Sequence, residues 1–375
     1  MKPLGIYLHI PFCRSKCLYC DFCSLPARSE ELINAYVQRL CRDVAEKRNA
    51  CREYSVQTIY FGGGTPTLLS ANQLERILQT IRQTFSVEPD CEISAECNPA
   101  TGSRELFSAM RAMGFNRLSI GLQSAHQSEL RALGRTHDFN DFFQTWREAR
   151  AAGFDNLNVD VMFGIPLQTE KSFAETLEKL VPLAPEHLSA YALTLEEGTA
   201  LWRRRETLPL PGEEETAAMY LHMVDFLGTN QIFQYEISNF ARPGYQSRHN
   251  RKYWDMEEYL GFGVAAHSDF CGERFGNNRD LEAYLRGEEI CAERSRPSAA
   301  ERENEYVMLQ MRLAEGLKKQ AFAERFGHGA EAFFAKLEPW VKKGFVCKTA
   351  AGMAFTPKGF LVSNSILSEI VEFES

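Results

Sequence analysis

Apolar and polar positions alternate in short runs through the first half of the chain, as in Gly5-Ile6-Tyr7-Leu8-His9-Ile10. That period of two predicts strands over residues 5–10, 58–61, 92–95, 117–121, 156–163 and 187–193. Between them apolar residues return every three or four positions, which predicts helices over 30–49, 71–85, 104–113, 140–152 and 170–180. Ser70, with Gln73 three residues on, is suited to cap the second helix. Strands that alternate with helices make a parallel α/β sheet. Six such units close into a partial (β/α)6 barrel or lie open as a doubly wound sheet. Both arrangements place their ligand at the carboxyl ends of the strands.

The residues at those ends are polar or unusually small. Strand one runs into a loop holding Cys13, Cys17, Cys20 and Cys23, and strand two into Gly62-Gly63-Gly64-Thr65-Pro66. Glu96 ends strand three, Gln123 and Ser124 follow strand four, Arg135 lies in the loop beyond, and Asp160 sits in strand five. Missing side chains at the glycines would let backbone groups approach a ligand closely. Any one of these features is common in ordinary turns; their recurrence at one rim is the signal.

Three thiols within eight residues, Cys13, Cys17 and Cys20, suit a soft metal or an iron–sulfur cluster. With Cys23 they could instead make a four-thiolate zinc site, although structural zinc sites usually pair two short knuckles across a longer span. The remaining seven of the eleven cysteines are scattered, so a disulfide framework is not expected in this chain of 375 residues. A net charge of −8 argues against a partner engaged through phosphates. No apolar run is long enough for a membrane span, and a cytoplasmic location is the default expectation.

The spacing Cys13-x-x-x-Cys17-x-x-Cys20 resembles the cluster-binding signature of the radical S-adenosylmethionine (radical SAM) superfamily. The resemblance implies a [4Fe–4S] cluster on Cys13, Cys17 and Cys20, with S-adenosylmethionine on its open iron as the source of a deoxyadenosyl radical. Tyr7–Cys13, Phe61–Thr67, Asn116–Ser124, Leu133-Gly134-Arg135 and Asn158–Pro166 are similar to the oxygen-independent coproporphyrinogen III oxidases and their relatives. On those motifs, Tyr7, Gly63, Gly64, Thr65, Glu96, Gln123, Arg135 and Asp160 are implied to line the S-adenosylmethionine site. An acid there can accept from ribose hydroxyls, and Arg135 can pair with the methionyl carboxylate.

Two departures separate this chain from the oxidases. Phe22 stands where their fourth cysteine falls, with the extra thiol moved to Cys23, and only a few residues precede the first strand where they carry an arm. His249-Asn250-Arg251-Lys252-Tyr253-Trp254 resembles the HNxxYW motif of the HemW-type haem chaperones. The resemblance implies haem contacts by His249, Asn250, Tyr253 and Trp254, with imidazole as an axial ligand and flat rings for the macrocycle. Arg242, Arg248, Arg251 and Lys252 would pair with propionates. His267 is a second candidate ligand, or a hydrogen-bonded core histidine.

Past residue 300 a helix, a helix–turn–helix pattern over 319–343, two short strands and a closing helix suggest a small α+β domain of winged-helix type. Its ten Lys/Arg and ten Asp/Glu argue for docking rather than nucleic-acid reading. Residues 206–215, with Pro209 and Pro211, read as a surface loop. The expected division is a radical SAM core over 1–235, an extension with the motif over 236–300, and the terminal domain over 301–375. The expected function is haem trafficking to acceptor proteins, with an electron donor if the cluster is reduced. The alternatives are oxidative decarboxylation of coproporphyrinogen III and a radical enzyme acting on another substrate, such as RNA through the terminal domain.

Overall fold

The computed structural model describes residues 1–27, 29–288 and 291–372. Strands β1 (Lys2–Ile10), β2 (Tyr54–Gly63), β3 (Ser86–Cys97), β4 (Arg117–Gln123), β5 (Leu157–Phe163) and β6 (His187–Ala192) lie side by side in chain order. Every neighbouring pair among them is parallel. The short strands β7 (Phe233–Gln234) and β8 (Asn239–Ala241) extend the β6 edge antiparallel. At the other edge β9 (Tyr259–Phe262) pairs parallel with β1, followed by antiparallel β10 (His267–Phe270), β11 (Glu273–Asn277) and β12 (Cys291–Ser295).

Alternation along β1 decides which side meets the core. Leu4, Ile6, Leu8 and Ile10 are fully buried, while Tyr7 and His9 point to the opposite face. Helices Glu30–Glu46, Ala71–Thr84, Arg104–Met113, Phe139–Ala151 and Glu170–Leu180 bury apolar stripes in the core with the first set. Ser70 and Gln73 form the reciprocal cap that the sequence suggested. The other face of successive strands lines a single cavity. The partial barrel therefore holds and the doubly wound alternative, which covers both faces with helices, does not.

Several boundaries differ from expectation. Strand β3 starts six residues early because the register shifts between the pairs Val56–Val87 and Thr58–Glu92, where Glu88, Pro89, Asp90 and Cys91 stand opposite Gln57 alone. Residues 206–215 are only partly a loop. Trp202–Thr207 is a tight 3₁₀ turn, and Glu213–Glu215 open a long helix, Glu213–Thr229. Three carboxylates in its first turn favour that start.

The terminal domain has the expected order of elements. Helices Ala299–Met311, Lys319–Phe326 and Glu331–Lys342 pack with a sheet of Leu317–Lys318, Gly352–Phe355 and Val346–Lys348, before two closing helices. It docks through polar contacts: Arg302 reaches Asp269 at 2.8 Å, and the Gln310 amide donates to the Trp254 carbonyl at 3.0 Å. Among the described residues no helix is long and apolar enough to cross a membrane.

Candidate functional site

The cavity has a volume of about 480 Å³ and lies at the carboxyl ends of β1–β6. Cys13, Cys17 and Cys20 stand on its rim, on a loop held at both ends. Ala27 N–H donates to the Cys13 carbonyl at 2.8 Å, and Leu18 N–H to the Leu133 carbonyl at 3.0 Å. Cys23 is outside the lining, with its Sγ 3.5 Å from the Arg279 carbonyl. Among the described residues no three His, Cys, Asp or Glu converge on a site for one ion. Cys13, Cys17 and Cys20 thus share the cavity wall and Cys23 does not. Burial raises the Cys13 and Cys20 thiols above their ordinary range.

The glycine loop serves the cysteine loop first. A Cβ on Gly64 would meet the Ile10 carbonyl at 2.6 Å and the Phe12 carbonyl at 2.7 Å. Gly63 has φ +101° and sits against the His9 ring. Their close approach lets Gly64 N–H bond the Ile10 carbonyl and Thr65 N–H the Phe12 carbonyl, both at 2.8 Å. Thr65 Oγ1 then donates to Cys13 Sγ at 3.5 Å. Backbone is pressed against backbone here, and both glycines still line the cavity.

Glu96, Gln123, Arg135 and Asp160 all line the cavity, as expected. Glu96 accepts from Tyr60 Oη at 3.1 Å and Gly63 N–H at 3.0 Å, and burial followed by the nearby Asp160 charge pushes it up to about 7. Asp160 accepts from Ser119 Oγ at 3.0 Å and Asn158 Nδ2 at 2.7 Å. Arg135 donates to Asn98 Oδ1 at 2.6 Å and its guanidinium lies 5.9 Å from the Tyr19 ring centre. Asn98 Nδ2 in turn donates to Thr65 Oγ1 at 2.7 Å. One relay therefore joins Arg135, Asn98, Thr65 and Cys13. Gln123 takes φ +70°, a left-handed conformation, at the bulge between Gly121 and Gln123.

Tyr7 is not in the lining. Its hydroxyl is 3.1 Å from His9 Nδ1, and its ring stacks on Tyr60, which does reach the cavity.

The HNxxYW segment forms a helix, Arg248–Trp254, packed against Thr58 of β2 and Glu92 of β3. His249 is 1 % exposed, and its ring nitrogens lie 2.8 Å from Thr58 Oγ1 and 2.8 Å from Tyr253 Oη. Burial drives its imidazole down to about 3, so it is neutral. Both ring nitrogens, one of which the sequence offered as an axial ligand, are hydrogen-bonded in this arrangement. Tyr253 is locked edge-on to Tyr259, Trp254 is half-buried towards the terminal domain, and Asn250 alone of the four lines the cavity.

The expected propionate partners are likewise taken. Arg248 bonds Asp90, Arg251 pairs with Asp255 and Glu315, and Lys252 is buried against Glu257 and Gln57. Arg242 donates to the Pro185 carbonyl. His267 is no core histidine: it is exposed beside Glu293 at 3.2 Å.

Sequence reasoning passed over Tyr60, Asn98, Arg117, Ser119, Asn158 and Tyr191, all of which line the cavity. Period-two counting back from Asp160 would have found Asn158, and back from Gln123 would have found Ser119 and Arg117.

Comparisons agree with this geometry. The profile of the Radical SAM superfamily matches residues 7–180, and that of the HemN C-terminal domain matches 298–362. The chain is 33% identical to the heme chaperone HemW of Bacillus subtilis (strain 168), over 96% of this chain and 97% of that protein. It is 31% identical to heme chaperone HemW of Escherichia coli (strain K12), over 98% of each. Among solved structures, coproporphyrinogen III oxidase (HemN) from Escherichia coli superposes with a TM-score of 0.86 at 24% identity, over 100% of this chain and 91% of that one. That likeness establishes the fold. The length and level of the sequence matches establish the rest: this chain belongs to the HemW family of the radical SAM superfamily.

Proposed function

We propose that this protein is a haem carrier that hands haem to acceptor proteins from a radical SAM scaffold. The observation that carries the reading is identity above 30% to heme chaperones along nearly the whole chain, not only across the cluster loop. Cys13, Cys17 and Cys20 would hold a [4Fe–4S] cluster, and the separation of Cys23 from the cavity supports a set of three. When bound, such a cluster supplies an electron and an iron corner that the protein leaves free.

The cavity residues would hold S-adenosylmethionine beside it. Arg135 offers a charge-assisted donor for the methionyl carboxylate at the cluster end. Gly63 and Gly64 present backbone, and Thr65 braces Cys13. Glu96 and Asp160 face the same space as acceptors for ribose hydroxyls, with Gln123 beside them. Tyr7 supports Tyr60 from behind. Of the HNxxYW residues, Asn250 faces the cavity, while His249, Tyr253 and Trp254 secure the helix that presents it.

The likeness in fold to an oxidase supports a second reading, decarboxylation of coproporphyrinogen III. One anaerobic preparation decides between them. Haem titration followed in the Soret region should saturate, and haem should pass to an apo-acceptor. Sustained conversion of coproporphyrinogen III would instead make this an enzyme.

A further inference from the structure

Arg117 is the largest side chain that is fully buried, 1 % exposed, and it lines the cavity. It opens β4, so it lies at the floor end of the barrel, where its neighbour across the sheet is Ser94. Its Nε has no hydrogen-bond partner, and its guanidinium makes no ion pair among the described residues. A buried guanidinium has five donors and no means of shedding its charge. Leaving them without acceptors is costly.

The nearby carboxylates do not satisfy it. Glu96 is close enough to feel its charge, yet Glu96 is bonded to Tyr60 and Gly63, and Asp160 to Ser119 and Asn158. Asn250, on the HNxxYW helix next to His249, which feels the Arg117 charge, also lines the cavity, and among the described residues no protein group engages its side-chain amide. A forked cation and an amide therefore both offer donors to the same cavity.

We infer that Arg117 and Asn250 form a carboxylate-binding subsite at the floor of the cavity, and that the carboxylate is a propionate of the bound tetrapyrrole. The inference rests on the proposed haem reading. Two carboxylate sources belong to that reading, haem and the methionyl end of S-adenosylmethionine. Position separates them. Arg135 stands beside Tyr19 on the cysteine loop, where a ligand of the cluster must end. Arg117 opens its strand at the other end, where its charge is felt at His249 on the HNxxYW helix.

The test uses the full-length protein with iron protoporphyrin IX, its dimethyl ester, and S-adenosylmethionine as separate probes. Arg117→Gln and Asn250→Leu should each weaken the free-acid haem by about tenfold or more. They should leave the ester, already weaker on the wild type, within about twofold. S-adenosylmethionine should bind unchanged. Equal losses for haem and ester in both variants, or no loss for either, would overturn the subsite. Loss confined to S-adenosylmethionine would assign the carboxylate to the methionyl group and overturn the propionate. Asn250→Leu keeps the test open if Arg117→Gln does not fold. Failure of the wild type to bind any haem would defeat the proposed function itself, a distinct result.

Discussion

Thr58 Oγ1 lies 2.8 Å from Nδ1 of His249, and Tyr253 Oη closes the other side of the same ring. The imidazole also stacks on Tyr60, which bonds Glu96 in the cavity. His249 thus joins the HNxxYW helix to β2 as a structural pin. His249→Ala should lower the unfolding free energy by about 2–4 kcal/mol, since it deletes two buried bonds and leaves a hole. Thr58→Val should cost about 1 kcal/mol. Urea unfolding measures both. Haem added to either variant should keep the wild-type Soret position. A shift on His249→Ala at unchanged stability would mean that the ring binds iron instead.

The same ring makes stability depend on pH. Its folded pKa, near 3, lies below the unfolded value of about 6.5, so the fold excludes a proton that the open chain takes up. The stabilisation is complete above pH 6.5 and is lost as pH falls towards 3. Other buried histidines, His9, His137 and His187, are shifted the same way. His249→Gln should therefore flatten, not abolish, the decline, by about 1.4 kcal/mol per pH unit. Urea midpoints between pH 4.5 and 8 give the difference; parallel curves for the two proteins would refute it.

Gly64 is predicted to tolerate no side chain. Its Cβ would fall 2.6 Å from the Ile10 carbonyl, and neither backbone can retreat without moving the cysteine loop. Gly64→Ala should cost at least about 2 kcal/mol and lower iron and sulfide retained after reconstitution. Gly153→Ala is the control. It has φ +92° but nothing within 4 Å, so only the backbone penalty of about 1 kcal/mol should appear, with full iron content.

The barrel was legible because each strand repeats one rule: apolar residues towards the helices, polar or small ones towards the cavity. Helix Glu213–Thr229 escaped because its apolar residues run nearly all round it, leaving no stripe to count. Glu96, Arg135 and Asp160 could be placed since strand ends are where such sheets bind. Arg117 could not, because nothing in one sequence tells whether a strand arginine will find a carboxylate or face an open cavity. The surroundings of His249 were hidden for a related reason. A histidine bonded by Thr58 and Tyr253 looks the same in sequence as one left free, and its partner Thr58 is 191 positions away.

Cys23 is predicted to be dispensable for the cluster. Cys13, Cys17 and Cys20 share the rim, whereas Cys23 turns to the Arg279 carbonyl and its own carbonyl accepts from His9 Nε2 at 2.8 Å. Cys23→Ser keeps that backbone bond and should retain iron within error of the wild type. Serine at any of the other three should lose most of the iron and the visible absorption of the cluster. Loss of the cluster in Cys23→Ser would require a fourth thiolate and close the corner assigned to S-adenosylmethionine.

Glu96 should make S-adenosylmethionine binding sensitive to pH in the neutral range. Burial and the charge of Asp160 hold its carboxyl up near 7, and on the proposed reading the ionised form would accept from two ribose hydroxyls. The association constant at pH 6 should be about a tenth of that at pH 8, because roughly a tenth of the molecules then carry the charge. Glu96→Gln keeps the size and the bond to Tyr60, so it should bind more weakly and with a flatter profile. The ammonium group of the ligand titrates alike in both proteins, which makes the difference between the two profiles the diagnostic quantity. Profiles of equal steepness would place the titrating group on the ligand and remove Glu96 from the ribose.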